Sequence, residues 1–416
     1  MKIKQNPFTS HLFKSIWLNH FNQNKPVFNF NYIVGLSFFK PSILPVFINT
    51  GRNLTKGISY SLNARKIINF KKSVALIYDV PAYIYLDITN IPENVSLYKI
   101  KQYPGYLVEL HKYKDLNDYF QKTFSKKTRY NLRRYQKRLE LCFNIKYKIF
   151  YGYISKEEYD FIFGCFKKLL EKRFIDKQTT NNNLNPEEWA FYYDVAFPLI
   201  LEKKASLFVV YEDSNPIAVT LNYFSESILF HAITVFDIDY SKFRLGKIAL
   251  TNLFSWCFEN GIQYFDFSKG YFEYKTHWAN KKYNFEYHLY IDKASVRSIF
   301  IGFIIKNYFE LKQYLREKEL NEKLHRLTYW LKKNDRGPVT SSSFILSEIT
   351  KEYYNSELSE IKPLSKEYMA LKSAINEFLF LNSESLYDLK VKRVLNKKST
   401  YLFIGEKVSK SIIINQ

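Results

Sequence analysis

An α/β (α+β) fold with a mixed, mostly antiparallel sheet and flanking helices is predicted by three observations. Segments 206–211, 217–223 and 227–236 are rich in β-branched and aromatic residues, and the first two join through Asp213-Ser214-Asn215-Pro216, so they read as a meander. Directly after them Ala249, Leu250, Leu253, Phe254 and Cys257 recur at helical spacing, stop at Asn260-Gly261, and give way to the apolar stretch Ile262 to Phe267. Two helical segments, 156–174 and 186–203, precede the meander. The order is therefore two helices, an antiparallel meander, and a strand–helix–strand step.

From the start of the chain, residues 1–105 read as strand and loop. Val27 to Val34 alternates, Ile43 to Ile48 is broken by Pro45, and Ser73 to Tyr78 is a short apolar run. Tyr106 to Leu110 is a strand candidate leading into a helix over Leu116 to Gln121. Ser125 then caps a helix over Lys126 to Leu139. At 100° per residue that helix gathers Lys126, Lys127, Arg129, Arg133, Arg134, Lys137 and Arg138 on one half and Thr128, Leu132, Tyr135 and Leu139 on the other. It is packed on one side and cationic on the other. Phe143 to Tyr151 alternates as a strand, and Asn181 to Pro186 is a loop. Beyond Trp278, Phe285 to Ile291 is a further strand. Val296 to Lys333 is helical, with Leu311, Leu315, Leu320, Leu324, Leu327 and Leu331 loosely periodic; Asn334 to Ser343 is a linker, and 344–416 holds helix and strand without a chemical motif. The division that follows is 1–105, 106–292, 293–334 and 335–416.

With 416 residues the chain is long enough for a substantial core, and its 35 Tyr and 37 Phe supply much of it. Gly and Pro number 12 each, which excludes collagen-like and low-complexity classes. Lys and Arg exceed Asp and Glu by 22, so the partners are anions: nucleotide phosphates, nucleic acid or an acidic membrane face. Cys142, Cys165 and Cys257 form no CxxC pair and have no His at ligand spacing; no metal site or disulfide framework is expected, and a reducing cytoplasm fits. The N-terminal segment has no apolar h-region, so no signal peptide is expected. The longest apolar run, Ile299 to Ile305, is far short of the about 20 residues of a membrane span. Peripheral contact with the inner face of a membrane is left open.

The loop before the 249–257 helix carries Lys242, Arg244 and Lys247. Free backbone amides at a helix start, with about half a positive charge, make a seat for a diphosphate that these cations would reinforce. A solvated basic loop is the bland alternative. Asp237, Tyr240 and Gly246, followed by Asp266-Phe267, Gly270, Tyr274-Lys275 and Trp278, resemble the D-x-x-Y-x5-G … D-F-x-x-G-x3-Y-K-x2-W pattern of GNAT-superfamily acyltransferases of the FemAB-like and CelD-like kind. Ser125, Arg129, Leu132, Arg133 and Leu139 are similar to that family's S-x3-R-x2-L-R helix. The resemblance spans roughly residues 106 to 290. It departs where Leu245 replaces a frequent Pro and Ser268 a frequent Gly, and the full Q/R-x-x-G-x-G/A loop is absent. It implies a GNAT-like sheet and a second degenerate unit of the same kind over 1–105; the C-terminal region, without a motif, is assigned an accessory or partner-binding role by default.

What the resemblance further implies is an acyltransferase that uses acetyl-CoA or another acyl-CoA to acylate an amine, on an amino sugar or related surface-polysaccharide precursor. The acceptor would be an anionic small molecule or carrier-linked. Arg244, Gly246, Lys247 and Lys242 would hold the diphosphate of coenzyme A; Arg129, Arg133, Tyr240 and Gly270 would face the acceptor. Amine attack on a thioester needs a base and donors for the oxyanion. Asp237, Asp266, Lys275 and Tyr274 are the catalytic candidates. Asp237 is equally a turn cap, and Asp266, in an aromatic strand, needs a partner if buried, for which Lys275 is available. His231 is a further base candidate that reads more readily as structural. The alternatives are FemX-like aminoacyl transfer from charged tRNA, with the basic helix binding RNA, and an inactive module binding anionic glycolipid or membrane. Other nucleic acid is disfavoured because the aromatic residues of the basic helix face its packed side.

Overall fold

The computed structural model describes residues 3, 5–23, 25–41, 45–63, 70–89, 91–177, 181–318, 344–349, 353 and 356–414. One sheet of eleven strands runs through it in the order β1 (Val27–Phe28), β3 (Phe38–Phe39), β4 (Phe47–Asn49), β6 (Val74–Pro81), β13 (Lys281–Asp292), β7 (Val95–Glu109), β12 (Tyr264–Lys269), β11 (Ile228–Phe236), β10 (Asn215–Ser225), β9 (Ala205–Glu212) and β8 (Ile145–Phe150). The pairs β4–β6 and β11–β12 are parallel and the others antiparallel. A separate pair joins β2 (Ile33–Val34) to β5 (Ser61–Leu62). The expected mixed, mostly antiparallel sheet with flanking helices is what the chain forms.

The strand anticipated at 106–110 is the end of the fifteen-residue β7, which begins at Val95. Pro104 and Gly105 lie inside the strand. Pro104 sits opposite Asn284 next to a register irregularity, and a Cβ on Gly105 would lie 2.2 Å from the Tyr283 ring, so only glycine lets that ring cross the strand. The boundary placed at 105/106 falls within β7, and residues before and after it share one sheet.

On one face pack α2 (Leu116–Thr123), α3 (Lys126–Cys142) and α6 (Leu245–Glu259), through Tyr119, Leu132, Leu139, Leu253 and Phe254. On the other pack α1 (His11–Phe21), α4 (Lys156–Asp176) and α5 (Pro186–Leu201), through Phe13, Trp17, Phe163 and Tyr192. Local chemistry sets the helix starts: Ser125 Oγ accepts from the Thr128 amide at 3.2 Å, Ser155 Oγ accepts from the Glu158 amide at 3.2 Å, and Pro186 opens α5. At the end of α6 the Ile262 amide donates back to the Cys257 carbonyl at 2.9 Å across Gly261, whose φ is 69°. That closure takes up Ile262, so β12 starts at Tyr264.

Two further helices follow β12: α7 (Glu273–Trp278) and, after β13, α8 (Val296–Glu317). The rest of the helix anticipated to Lys333, with Leu320, Leu324, Leu327 and Leu331, and the linker to Ser343 lie outside the described residues, as does Ile43. The C-terminal region forms a second sheet, β14 (Phe344–Glu348), β15 (Leu358–Glu360), β16 (Lys390–Val394), β17 (Thr400–Ile404) and β18 (Ser409–Ile414), with α9 (Lys366–Ala370) and α10 (Lys372–Asn382). It is docked on α3 and on the turn before α6. Arg138 donates to the Phe380 carbonyl at 2.8 Å, Phe380 meets Phe243 edge-on at 5.1 Å, and Asn376 donates to the Asp239 carbonyl at 3.1 Å.

Candidate active site

The strands β11 and β12 pair only from Ile228 to Phe230 against Tyr264 to Asp266, then part. β11 continues along β10 to Phe236, and a 3₁₀ turn over Ile238–Phe243 leads to Arg244. Arg244 lies at φ 58°, ψ 42°, and caps α6 with its backbone alone. Its carbonyl accepts from the amides of Lys247 (2.8 Å) and Ile248 (3.3 Å). The amides of Leu245 and Gly246 have no acceptor among the described residues; Leu245 is fully buried, so the donor that α6 turns outward is the Gly246 amide. A Cβ on Gly246 would sit 2.6 Å from the Phe236 ring, so glycine lets the helix start lie directly on the end of β11. Arg244 and Lys247 are exposed and have no acidic partner among the described residues; Lys242 is paired with Glu377 at 2.7 Å.

Arg173, on the last turn of α4, stacks its guanidinium over the Phe236 ring at 4.4 Å and also has no carboxylate partner among the described residues. It sits under the same helix start, and sequence reasoning missed it. Nothing in the spacing of α4 separates it from the other cations of that helix; the signal is its meeting with Phe236 across 63 residues.

Asp237 is committed to the turn. One oxygen accepts from the Asp239 amide (3.2 Å) and from Lys172 Nζ (2.6 Å), and Lys372 of α10 lies 3.9 Å from the other. Lys172 also pairs with Asp239 at 2.5 Å; burial and the charge on Asp237 push the Asp239 carboxyl up. Tyr240 donates to Glu212 at 2.6 Å beneath Lys372. Asp237, Tyr240 and Lys242 thus fix the loop against α4 and the C-terminal region.

Asp266 faces elsewhere. It is fully buried and accepts from Tyr83 Oη (2.7 Å), Tyr283 Oη (2.7 Å to each oxygen) and the Ser268 amide (2.7 Å). Burial raises its carboxyl to about 6 against these stabilising donors. Ser268, where the family often has glycine, sits in the left-handed region at φ 63°. Gly270 follows at φ 129°, with its amide on the Pro104 carbonyl at 2.9 Å. These turns bring Lys275 of α7 back over the strand end, where its Nζ donates to the carbonyls of Lys269 (2.9 Å) and Ser268 (3.2 Å). Burial lowers the Lys275 ammonium to about 7, partly offset by the nearby Asp266. The hydrogen-bond partners of Asp266 are therefore two tyrosines and the Ser268 amide, with Lys275 acting on it through its field. Tyr274 is partly exposed, its ring 6.0 Å from Phe267, and burial of its hydroxyl pushes it to about 12.

His231, at the point where the strands part, is held by Asn222 at 3.2 Å and packed on Phe265 and Phe267. Burial and Lys275 lower it to about 3, so it is neutral. A second group, without any motif in the sequence, comes from the N-terminal residues. Asp79, fully buried at φ 64°, accepts from Thr55 (2.9 Å), Gln102 (3.0 Å) and Lys269. Lys56, half-buried beside it, has no hydrogen-bond acceptor among the described residues and is lowered to about 8 by burial and by the charge of Lys269. Gly57 next to it packs on the Phe230 ring, which pins this loop to the root of the splayed pair.

Arg129 and Arg133 lie apart from this cluster. Arg129 donates to the carbonyls of Phe124 (2.8 Å) and Gln121 (3.2 Å), closing α2, and Arg133 reaches Asn117 at 3.5 Å. Lys126, Lys127, Arg134 and Lys137 on the same helix are exposed without acidic partners among the described residues.

Residues 126–276 match the family model described as an acetyltransferase (GNAT) domain. No curated protein matches the sequence. Among solved structures the chain is similar to L-PGS from Bacillus licheniformis (14% identity, TM-score 0.41, covering 70% of this chain and 92% of that one). It is also similar to FemX (12%, 0.42, 61% and 83%) and to a tandem GNAT protein from the clavulanic acid biosynthesis pathway (7%, 0.33, 61% and 77%). Scores this low support no argument, and the assignment rests on the matched residues. The chain carries a GNAT domain and is a transferase.

Proposed function

We propose that the protein transfers an acyl group from acyl-CoA to the amine of an anionic acceptor, an amino sugar or related surface-polysaccharide precursor. The observation that carries the reading is the start of α6: the Gly246 amide without an acceptor beside three cations, Arg244, Lys247 and Arg173, without acids among the described residues, at the mouth of a parted strand pair. An unsatisfied donor with cationic neighbours fits a diphosphate. When bound, acyl-CoA supplies an activated acyl thioester.

The chain's own residues then have separable tasks. Arg244, Lys247 and the Gly246 amide hold the diphosphate, and Arg173 adds charge from below. Lys275, titrating at about 7, takes the proton that an acceptor ammonium must lose before it can attack. Asp266 keeps Tyr83 and Tyr283 oriented and holds the Lys275 ammonium from falling further. Lys56, beside the Asp79–Lys269 ion pair, supplies positive charge for an anionic acceptor, and this supports the acceptor class. Asp237 and Tyr240 position the loop.

Calorimetric titration with acetyl-CoA tests the reading. Saturable binding is expected, weakened at least about tenfold by Arg244→Glu with Lys247→Glu, as two charge-assisted contacts imply. No binding, or binding indifferent to the reversal, refutes it. The second reading, aminoacyl transfer from charged tRNA, is favoured by the cations of α3 that have no acidic partner among the described residues. Tight, strongly salt-dependent binding of charged tRNA lost in Arg134→Glu with Lys137→Glu would replace the first reading with it.

A further inference from the structure

Helix α8 packs against the sheet through one narrow edge, Ser298, Gly302, Ile305, Phe309 and Gln313. Gly302 makes the approach close: a Cβ there would lie 2.0 Å from the Ile291 side chain. The opposite edge is apolar and exposed, with Phe300 at 65%, Phe303 at 62% and Leu311 at 57%, flanked by Ile304, Tyr308 and Tyr314. Large aromatic side chains aligned on one outward stripe need an apolar cover. Around the stripe the charge is positive. Glu310 and Glu317, the acids of the helix, pair with Lys306 (3.7 Å) and Lys101 (2.6 Å). Arg297, Lys312 and Lys318 have no acidic partner among the described residues. A cavity of about 260 Å³ opens beside the stripe, with Lys293, Lys306 and Ser96 on its polar side and Ile299 and Phe303 on its apolar side.

We infer that α8 is a monotopic anchor that lays its Phe300–Phe303–Leu311 edge into the headgroup and upper acyl region of an anionic bilayer. Apolar side chains bracketed by cations match such a boundary, and the cavity offers cations at headgroup depth beside an apolar wall. The helix lies on the surface: its inner edge is occupied by the sheet, and no described helix is long and apolar enough to cross a membrane. The inference is independent of the acyl donor.

The test is co-sedimentation of the full chain with phosphatidylcholine vesicles, with and without about one third phosphatidylglycerol. Binding is expected only to the anionic vesicles, weakened at least about tenfold in Phe300→Ser/Phe303→Ser/Leu311→Ser and strongly reduced at about 0.5 M salt. All three side chains are more than half exposed, so the thermal midpoint of the triple variant should match the parent. In Phe303→Trp, the emission added over that of the parent's five tryptophans should shift to the blue and be quenched by brominated acyl chains when anionic vesicles are added. Lack of binding, or binding indifferent to the triple variant, overturns the proposal. So does a tryptophan already blue in the free protein and unaffected by vesicles, because a protein surface, residues 319–343 or a second copy, would then cover the stripe.

Discussion

Replacing Lys275 by Met should make the protein more stable near neutral pH while removing its activity. The side chain is 4% exposed and its ammonium is lowered from 10.5 to about 7. In the unfolded chain it is protonated up to about 10.5. The folded state therefore binds fewer protons than the unfolded state between about pH 7 and 10.5, and stability rises with pH across that window. At about 1.4 kcal/mol per pH unit, the penalty is roughly 4 kcal/mol at pH 7, 3 at pH 8 and 2 at pH 9. Met keeps the unbranched shape but leaves the Ser268 and Lys269 carbonyls without their donor, which costs about 2 kcal/mol. The variant should thus gain about 2 kcal/mol at pH 7, break even near pH 9 and fall behind above it. Because Asp266 titrates at about 6 and feels Lys275, the clean comparison starts at about pH 8. Urea unfolding of both proteins across that range, with equal slopes, reads the difference. A stability difference that does not change with pH would mean that Lys275 is charged throughout and would refute the reasoning, as would full activity in the variant.

Gly246→Ala should weaken acetyl-CoA binding at least about tenfold, since a Cβ 2.6 Å from the Phe236 ring forces apart the helix start and the ring that carries Arg173; calorimetry would show it, and unchanged affinity would count against the cradle. Ser268→Gly should be neutral or stabilising by up to about 1 kcal/mol, because it relieves φ 63° and removes a buried hydroxyl that has no partner among the described residues. Ser268→Val should destabilise by more than that, and thermal unfolding orders the three proteins. His231, lowered from 6.5 to about 3, binds fewer protons folded than unfolded, so its contribution is lost as pH falls through that window. His231→Gln should spare about 2 kcal/mol of the loss between pH 7 and about pH 5. Acid-limb urea curves that superimpose would exclude the assignment.

Much of the candidate site's local geometry was legible where chemistry is local. The α6 start, Gly246 and the β12 residues Asp266 to Gly270 sit within one continuous stretch, so their spacing carried both the strand–helix–strand step and the family pattern. Ser125 announced α3 by its cap. What spacing does not carry is contact between distant segments. Tyr83 and Asp266 meet across 183 residues, and Lys269 meets Asp79 across 190. Neither loop has a motif of its own. Arg173 is hidden by likeness to its neighbours, and the full length of β7 depends on a contact with distant Tyr283, whose ring crosses the strand at Gly105. Asp237 shows the converse: a carboxylate in the right place in the sequence, with partners that only α4 and α10 supply.

The position of β13 between β6 and β7 also bears on how the polypeptide is made. Val74–Pro81 and the first half of β7 cannot complete their pairing until Lys281–Asp292 has been synthesised, some two hundred residues later. A nascent chain would carry unpaired strand edges rich in Val, Ile and Tyr through most of translation, the situation in which non-local sheets fold slowly and associate with one another. Expression of any fragment ending before residue 281 should therefore give aggregates, and recovery of the intact protein should improve at lower temperature or with a holdase present.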